Sequence, residues 1–513
     1  MIQNRYYKIV KDNLALILIC IFAAVLHFIY LDKAPSGWHV DEAGTALDAW
    51  YIAHFGTDRY GYSYPVHFYN YGGGGQSALY TYLAALLIKI FGFSLYTVRI
   101  PAALASLLPL VSGVVILKTI KSDRKYINIF ALIYSVAPYF FMSGRFGLDC
   151  NLMLGVSSIF LMCLVLAVSY DRDYLYLISG IAGGIVLYTY SLSYIVMMAF
   201  MVFLMIYLLY TKKLTIKRAL FLCIPMGLLA VPLALEQFNN IFGSETITIW
   251  KFTFVKFDKY RIGELGAPDI RRLVSLVKTT LLHDNLSYNT NSQFLTLYWV
   301  SIPFFVIGLL CGIAGFIKSL RERRIHAGYI IFLWLTAESI MAMMLKCEIN
   351  ANRVNGIYFA VLLCVVYGIW NAAHRIKWER AALGGVAAIY IVMAFLFFRS
   401  YYKVELNIHR EYFGYTTENV LADIDSMEEL AQYRVCIGGY FDYNAISRLL
   451  LNDSKDMRSE IESDRYIHGL PDNPEYGMCY IVLDTDWEYC DKLYQLGLKV
   501  KEYEKGIKLF YPG

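Results

Sequence analysis

The chain has 513 residues, of which 58% are hydrophobic and 17% are charged, and its formal net charge is +5 at pH 7. Soluble globular proteins carry about 25% charged residues, so this composition excludes an ordinary soluble enzyme and a disordered chain. It indicates a polytopic α-helical membrane protein. No dense basic stripe occurs, which argues against a nucleic-acid partner. The 44 tyrosines exceed what lipid-facing helices need, and phenols suit membrane interfaces and hydrogen-bonding cavities.

Hydropathy predicts about eleven transmembrane helices, because a span needs about 20 apolar residues. A further apolar helix at 76–92 is ambiguous. If it lies along or dips into the outer face, the Lys and Arg clusters at 118–125, 211–218 and 318–326 all fall in the cytoplasm, as the positive-inside rule requires. We therefore predict a multi-pass protein of the cytoplasmic membrane, with its N-terminus inside and its C-terminus outside. The predicted spans are 13–31, 98–117, 126–142, 151–169, 174–190, 194–210, 219–235, 296–317, 327–345, 355–373 and 381–398.

The chain divides into a membrane domain, 1–398, and a soluble extracytoplasmic domain, 399–513. Two outer loops, 32–97 and 236–295, belong to the membrane domain. In the second, 269–282 predicts an amphipathic helix that lies in the membrane interface or packs on the protein. In the soluble domain, strands alternate with helices, which predicts a small α/β fold. The predicted strands are 433–438, 478–484 and a pair within 499–511, and the predicted helices are 443–451 and 487–496.

Two carboxylates follow the first span directly. Asp41 and Glu42 open a predicted helix, whose dipole stabilises charged carboxylates in its first turn. A charged carboxylate at a cavity in the membrane accepts a proton from an acceptor hydroxyl. Simple N-terminal capping explains the same two residues without any chemistry. Spacing alone leaves both interpretations open.

Other ionisable residues lie near the predicted outer boundary of the membrane, where they are costly and therefore functional candidates. Arg145 and Asp149 follow the third span, and their i, i+4 spacing also suits a salt bridge. Glu338 lies inside a span. Arg353 is suited to hold a phosphate with two hydrogen bonds, and Lys346 either joins it or extends to the interface.

An aromatic cluster at 60–71 precedes a run of four glycines. Its members Tyr64, His67 and Tyr71 are candidates for a wall that contacts sugar, and an interfacial aromatic belt is the alternative. The glycines follow no predicted strand, so they are not a phosphate-binding P-loop. The ten cysteines show no metal-ligand spacing. No dedicated metal cage is predicted, and a divalent cation stays an open alternative.

The order of these features resembles the GT-C glycosyltransferases, specifically the protein O-mannosyltransferase and aminoarabinose-transferase-like group. The resemblance is carried by Asp41 and Glu42 at a helix start, by the segments 79–83, 91–94 and 98–104, and by the turn with Arg145 and Asp149. It covers about residues 30–170 strongly and extends to about residue 400 mostly as hydropathy. It does not cover the C-terminal domain.

The resemblance implies that the protein transfers a sugar from a polyprenyl-phosphate carrier to an acceptor outside the cytoplasmic membrane. It implies that Asp41 is the catalytic base, that Glu42 is the second acid of the pair, and that Asp149 lines the same cavity. Arg99 matches the arginine that opens the next span. The glycine run replaces a basic residue and prolines of the lipid A-modifying members, which argues against lipid A. The loop 236–295 is too short for the central domain of the protein mannosyltransferases, which argues against a protein acceptor. The identity of the acceptor, a lipid, a glycan or a protein, stays open.

The expected reaction is an inverting transfer in which Asp41 deprotonates the acceptor hydroxyl. Cations among Arg145, Arg353 and Lys346 would stabilise the departing carrier phosphate. The rival function is a transporter or flippase of lipid-linked sugars, which predicts two pseudo-symmetric halves. No internal repeat is found in the sequence. A third function is a non-catalytic receptor whose outer domain binds a ligand.

Overall fold

The computed structural model describes residues 2–35, 37–70, 74–259, 261–286, 288–408, 420, 423–424, 426–438, 466–503 and 506–513. The predicted helix at 443–451 and the predicted site residue Tyr71 lie outside these ranges. The helices are α1 (Ile2–Phe28), α2 (Val40–Phe55), α3 (Ala78–Phe91), α4 (Leu95–Thr119), α5 (Arg124–Val136), α6 (Pro138–Met142), α7 (Asn151–Tyr170), α8 (Asp173–Val186), α9 (Ser193–Tyr210), α10 (Ile216–Phe242), α11 (Arg272–Val277), α12 (Ser301–Glu322), α13 (Ile330–Met344), α14 (Ile357–Ala373), α15 (Glu379–Ile408) and α16 (Trp487–Gln495). The strands are β1 (His67–Tyr69), β2 (Gly75–Ser77), β3 (Ile247–Ile249), β4 (Phe252–Phe254), β5 (Arg434–Ile437), β6 (Tyr466–His468), β7 (Met478–Leu483), β8 (Lys499–Glu502) and β9 (Ile507–Tyr511).

Each of the eleven predicted spans coincides with a helix or a pair of helices. Within the described ranges, eight helical segments are long and apolar enough to cross a membrane. Helices α8 and α14 correspond to two further predicted spans and are shorter, at 14 and 17 residues. The protein is thus a multi-pass helical membrane protein. The eight segments are Lys11–Phe28, Leu95–Thr119, Asn151–Tyr170, Ser193–Tyr210, Ile216–Phe242, Ser301–Glu322, Ala327–Met344 and Glu379–Lys403.

The predicted span 126–142 is two helices, not one. Pro138 has no N–H to continue the helix and holds Ala137 in an extended conformation, so α5 ends and α6 begins there. Polar groups from a later part of the chain satisfy the break. The Tyr298 hydroxyl donates to the Val136 carbonyl at 2.6 Å, and the Tyr139 N–H donates to the Thr296 carbonyl at 3.0 Å.

Helices α12 and α14 pack with their backbones in close contact. A Cβ atom at Gly308 would lie 1.9 Å from the Cys364 carbonyl oxygen, and one at Gly368 would lie 1.8 Å from the Phe304 carbonyl oxygen. Only glycine fits at such a crossing. Small residues at helix interfaces are how membrane helices gain packing energy where the hydrophobic effect is absent.

The first outer loop folds over the ends of the membrane helices. Helix α2 and helix α3 pack together around buried Trp38, Trp50 and Tyr80. Between them, β1 and β2 pair antiparallel, with His67 opposite Ser77. The ambiguous segment 76–92 is therefore a helix of 14 residues packed against α2 and α4. Its position along the outer face stays a prediction.

Only the middle of the predicted amphipathic helix at 269–282 is α-helical, and its last five residues form a π-helical turn. Helix α11 spans Arg272–Val277 and continues as a π-helical turn, Lys278–Leu282. The apolar side chains of Ile270, Val274 and Val277 are exposed, whereas Leu281 is buried in the main core.

The C-terminal part contains the predicted small α/β domain. Its five-stranded sheet has the order β6–β5–β7–β9–β8, with β6, β5 and β7 parallel and β9 antiparallel to both of its neighbours. Helix α16 follows β7 and buries Cys490 and Leu493 against the sheet.

Candidate active site

The first turn of α2 positions the two predicted acids. His39 caps the helix: its Nδ1 accepts the Asp41 N–H at 3.2 Å, and its own N–H donates to the Glu42 carboxylate at 3.3 Å. Burial lowers the pKa of His39, so the ring is neutral and Nδ1 is free to accept. Because the two acids are adjacent, they point in different directions, and their environments differ completely.

Glu42 is fully buried and holds three parts of the chain together. Its carboxylate forms a two-pronged ion pair with Arg99 of α4, with Nε–Oε1 and Nη2–Oε2 distances of 2.8 and 2.9 Å. Oε1 also accepts the Gly147 N–H at 2.6 Å, and Oε2 accepts the His39 N–H. Both oxygens are thus occupied by donors, which suits a positioning residue better than a proton acceptor. The other Arg99 donors bind the carbonyls of Leu31, Pro35 and Gly37 at 2.6–2.9 Å.

The Asp41 carboxylate is partly exposed, in contrast to that of Glu42. Among the described residues it accepts no hydrogen bond and forms no ion pair. Its electrostatic neighbours are His39 and Tyr288, whose rings pack edge to face at 5.1 Å. The Tyr288 hydroxyl accepts a hydrogen bond from Asn352 Nδ2 at 3.0 Å. The backbone of Asp41 is thus held by the helix cap, while its carboxylate is partly exposed.

A chain of hydrogen bonds connects the Asp41 turn to Asp149. The Thr45 hydroxyl donates to the Asp41 carbonyl at 2.8 Å, and Gln76 Nε2 donates to the Thr45 hydroxyl at 2.7 Å. The next residue, Ser77, donates its N–H to Asp149 Oδ2 at 2.9 Å. Asp149 is buried and precedes α7. The structure thus brings the first outer loop, which carries Asp41, together with the turn before α7, which carries Asp149.

Arg145 binds backbone carbonyls near the end of α1, an arrangement that argues against the predicted phosphate contact. Its fully buried guanidinium lies 5.1 Å from the Phe141 ring and donates to backbone carbonyls at the C-terminal end of α1. Nor does it form the alternative salt bridge with Asp149. Every nitrogen of the guanidinium donates to at least one backbone carbonyl, which favours a structural role for Arg145. The carbonyls belong to Leu26, His27, Ile29, Tyr30 and Ala34, at 2.5–3.3 Å.

A cavity of about 750 Å³ opens beside the first outer loop, between α9 and α10. Its walls are mostly apolar side chains, with methionines prominent. One end is polar and contains His67, Ser191, Asn240 and Lys259. A long apolar space with a polar end is the shape required by an amphiphile that carries one charged head group. The apolar residues include Leu187, Met197, Met198, Met201, Met226, Ala230 and Leu233.

The predicted site residue His67 lies at the polar end of this cavity. Its Nδ1 hydrogen-bonds to Glu236 of α10, and its Nε2 is 2.8 Å from the Tyr194 hydroxyl. In the tautomer that donates from Nδ1 to the carboxylate, Nε2 accepts from the Tyr194 hydroxyl. His67 and Glu236 are both buried. Since Asp149 is an electrostatic neighbour of Tyr194, this group adjoins the loops that carry the acids.

Two of the predicted cations lie around a single short segment. Lys346 Nζ is 3.4 Å from the Gly263 carbonyl, and Arg353 Nη2 is 3.5 Å from Glu264. Leu265, next in the chain, lines the cavity. The Nε atom of Arg353 is buried and has no hydrogen-bond partner in the described part of the protein. Arg353 is therefore held close to the cavity with one donor unused.

The remaining predicted residues lie elsewhere. Glu338 is fully buried in α13, and neither of its oxygens has a hydrogen-bond partner in the ranges described here. It lies against Gly356 at the start of α14 rather than in the cavity. Tyr64 is exposed, and its hydroxyl packs on Gly56. Over the described residues, no group of three or more His, Cys, Asp or Glu side chains is arranged to hold a metal ion.

Several residues of this region were missed by sequence reasoning. Tyr288 reaches the Asp41 surroundings from the second outer loop, and Glu236 reaches His67 from the end of α10. Glu236 gave a usable signal, since a carboxylate at the end of an apolar span falls under the same rule as Glu338. Tyr288 and Gln76 gave none, because their neighbours are far away in the sequence.

No protein-family model and no curated protein sequence matches the chain. Among solved structures, ArnT from Cupriavidus metallidurans bound to undecaprenyl phosphate superposes with a TM-score of 0.61, at 12% identity, over 96% of this chain and 97% of that one. The apo state of the same enzyme gives 0.55, at 13% identity, with the same coverage. The oligosaccharyltransferase AglB from Archaeoglobus fulgidus, in complex with an inhibitory peptide and a dolichol-phosphate, gives 0.48, at 14% identity, over 90% and 65%. A similarity with a TM-score of 0.48 is too weak to support an inference about this chain.

The two ArnT structures extend over nearly the whole of both chains, so the similarity includes the outer loops and the C-terminal domain as well as the spans. At this identity the likeness concerns the fold and not the reaction. The chain has the GT-C fold that its sequence predicts.

Proposed function

We propose that the protein is a membrane glycosyltransferase that moves a sugar from a polyprenyl-phosphate donor to an acceptor hydroxyl at the outer face of the cytoplasmic membrane. The observation that carries the proposal is the contrast between the two adjacent acids. Glu42 is saturated with donors, whereas the partly exposed Asp41 carboxylate has no partner among the described residues. Gly75, which precedes Gln76 of the hydrogen-bonded chain to the Asp41 turn, lines the cavity with one polar end. The shared fold with ArnT bound to undecaprenyl phosphate supports a lipid-phosphate carrier as the donor.

In the proposed reaction Asp41 removes the proton of the acceptor hydroxyl as its oxygen attacks the anomeric carbon. The new glycosidic bond forms on one face of the sugar while the bond to the carrier phosphate breaks on the other, so the configuration inverts. The bonding electrons leave with the phosphate, which is already anionic and needs no acid. General-base catalysis of this kind contributes about 10²–10⁴-fold to a rate.

The carrier is best accommodated with its isoprenoid chain in the cavity and its phosphate at the polar end. Lys259 lines that end, and Arg353 and Lys346 lie around the adjoining segment. Fixed cations in a site with little water stabilise the departing phosphate more strongly than they would in bulk water. The unused Nε donor of Arg353 makes it the best of these candidates.

Asp149 and Glu42 have positioning roles in this proposal. Asp149 fixes the start of α3 through the Ser77 N–H, and Glu42 joins α2, α4 and the turn that precedes α7. Around Asp149, the hydroxyls of Ser77, Thr81 and Ser191 are buried without a protein partner in the described part of the chain. Buried hydroxyls normally have a partner, so sugar hydroxyls or water are expected there.

The test is Asp41→Asn in proteoliposomes supplied with polyprenyl-phosphate sugars, with transfer and released polyprenyl phosphate both measured. The asparagine keeps the shape and removes the base, so transfer is expected to fall by about 10²–10⁴-fold. The matched control is Asp269→Asn, a surface residue paired with Arg271, which is expected to transfer normally. Normal transfer by Asp41→Asn would refute the assignment.

The same assay separates the rival transporter. A flippase would move the lipid-linked sugar across the bilayer with the sugar–phosphate bond intact, so no free polyprenyl phosphate would appear. A transferase releases it in proportion to the product.

A further inference from the structure

An exposed apolar hairpin follows α10 directly. Strands β3 and β4 pair antiparallel, with Ile249 opposite Phe252, and Trp250 at the turn has a left-handed φ of 56°. Trp250 is 82% exposed and Ile249 is 57% exposed. A bulky residue in that backbone conformation, with its ring open to the surroundings, is unusual and calls for an explanation.

The two faces of the hairpin have different compositions. Alternation along each strand places Ile247, Ile249 and Phe252 on one face, and all three are exposed. The other face carries Thr248 and Thr253, whose hydroxyls are 3.1 Å apart. Phe254, the fourth residue of the apolar face, is buried in the main core, and the Phe252 ring lies 6.5 Å from that of Tyr64. The outer part of this face stays exposed, while the threonine hydroxyls of the other face bind each other.

The hairpin begins shortly after α10, one of the helices that is long and apolar enough to cross the membrane, and adds exposed apolar side chains at its end. Leu235, Phe238 and Phe242 are exposed along its last turns, up to the start of the hairpin. The exposed side of a spanning helix contacts lipid. The hairpin extends that surface, so the occupant consistent with this continuity is the same lipid.

The hairpin is fixed to the end of α10 and cannot swing away from it. Lys256 Nζ donates to the carbonyls of Asn240 and Gly243 at 2.6 and 2.9 Å, capping the last turn of the helix. The Asn240 amide donates to the Val255 carbonyl at 2.8 Å and accepts the Phe257 N–H at the same distance. The side chain of Trp250 is thus held at a defined distance from the membrane helix.

We propose that the hairpin 247–254 inserts into the bilayer surface, with Trp250 and Ile249 among the lipid head groups and upper acyl chains. Trp prefers this interface because its ring is apolar and its N–H is polar. Lys251 next to it is exposed and available to lipid phosphates. The insertion is a property of the surface and does not depend on the proposed reaction.

The insertion has a consequence for the cavity. The Val66 N–H donates to the Thr253 carbonyl at 3.0 Å, so the hairpin is joined to the residue that precedes His67. Further along, Phe257 and Lys259 line the cavity itself. A hairpin seated in the bilayer therefore holds the polar end of the cavity at the membrane surface, where an amphiphile presents its head group.

The test is tryptophan fluorescence of the full chain in phosphatidylcholine vesicles, with or without brominated acyl chains. Subtracting the spectrum of Trp250→Phe isolates the Trp250 signal, and Trp250→Tyr serves if the first variant does not fold. The matched control is Trp487→Phe, because Trp487 is 64% exposed but belongs to the C-terminal domain.

Brominated lipid is expected to quench the Trp250 component about twofold, since interfacial elements lie about 5–10 Å into the bilayer boundary. The Trp487 component should not change. Quenching of Trp250 by aqueous acrylamide but not by brominated lipid would overturn the proposal. Hairpin-to-hairpin crosslinking between two copies without lipid quenching would also overturn it, because the apolar face would then bind a second chain.

Discussion

The Glu42→Gln variant tests whether Glu42 has a positioning role, in contrast to the proposed role of Asp41 as the base. In the structure, Oε1 accepts from Arg99 Nε and from the Gly147 N–H, and Oε2 accepts from Arg99 Nη2 and from the His39 N–H. Glutamine has one oxygen and one NH2 group. Whichever way the amide turns, two donors then face an NH2 group that cannot accept from them.

The expected loss of stability is large. The variant also removes the charge that balances Arg99, which is fully buried. Breaking a buried ion pair by removing one partner costs about 3–5 kcal/mol. A folded domain is stable by only about 5–15 kcal/mol, so this change is expected to lower the melting temperature clearly.

The assay is a thermal scan of the detergent-solubilised protein beside a measurement of turnover. Glu42→Gln should melt early, whereas Asp41→Asn should melt like the wild type and lose turnover, because the Asp41 carboxylate has no partner to lose. Glu322→Gln is the matched control. Glu322 is exposed and lies 3.8 Å from Lys318, a surface pair of the kind worth about 0–1 kcal/mol.

One result would refute the reasoning. If Glu42→Gln melted like the wild type but lost turnover as completely as Asp41→Asn, Glu42 would be acting on the substrate and not on the loops. The ion pair with Arg99 would then have to open during the reaction.

Two further predictions concern the other cationic and titratable residues. Arg145→Lys should lower the melting temperature and leave the KM for the donor unchanged, because an ammonium with three hydrogens cannot replace the contacts to the α1 carbonyls. A raised KM with normal melting, in a donor titration, would restore the phosphate role. His67→Gln should lower the melting temperature, since losing the charge-assisted hydrogen bond to Glu236 costs about 1.5–3 kcal/mol, and should raise the donor KM, because His67 lines the polar end of the cavity. An unchanged KM would make His67 purely structural.

The fold was largely predictable because each membrane helix is a contiguous run of apolar residues in the sequence. The span predicted at 98–117 is part of Leu95–Thr119, and the acids at 41 and 42 do mark the first turn of a helix. The break between α5 and α6 was not predicted, although a proline inside an apolar run, here Pro138, is a known helix breaker. Within an apolar run, hydropathy averages over the one residue that stops the helix.

The site was less predictable because a buried arginine can bind either a substrate phosphate or backbone carbonyls, and its sequence position does not distinguish the two. Arg145 looked like a phosphate ligand, yet its partners are carbonyls, one of them in a residue 115 positions earlier. Carbonyl oxygens are present in every residue, so no pattern of side chains reveals which of them will be left unsatisfied at a helix end. His67 and Glu236 are 169 positions apart, and their pairing follows only from the way α10 meets the first outer loop.

The attachment of Arg145 to α1 also fixes an order of assembly. Helix α1 is made and inserted first, and along its length it packs only on α4 and α5 among the elements with substantial contacts. The carbonyls at the end of α1 bind Arg145, which is synthesised after α4 and α5. A nascent chain that ends before residue 145 already contains Asp41 but lacks the Arg145 contacts to the end of α1. The loop that carries Asp41 is therefore attached at the end of α1 only when the third hydrophobic segment has been inserted and the turn behind it has folded back.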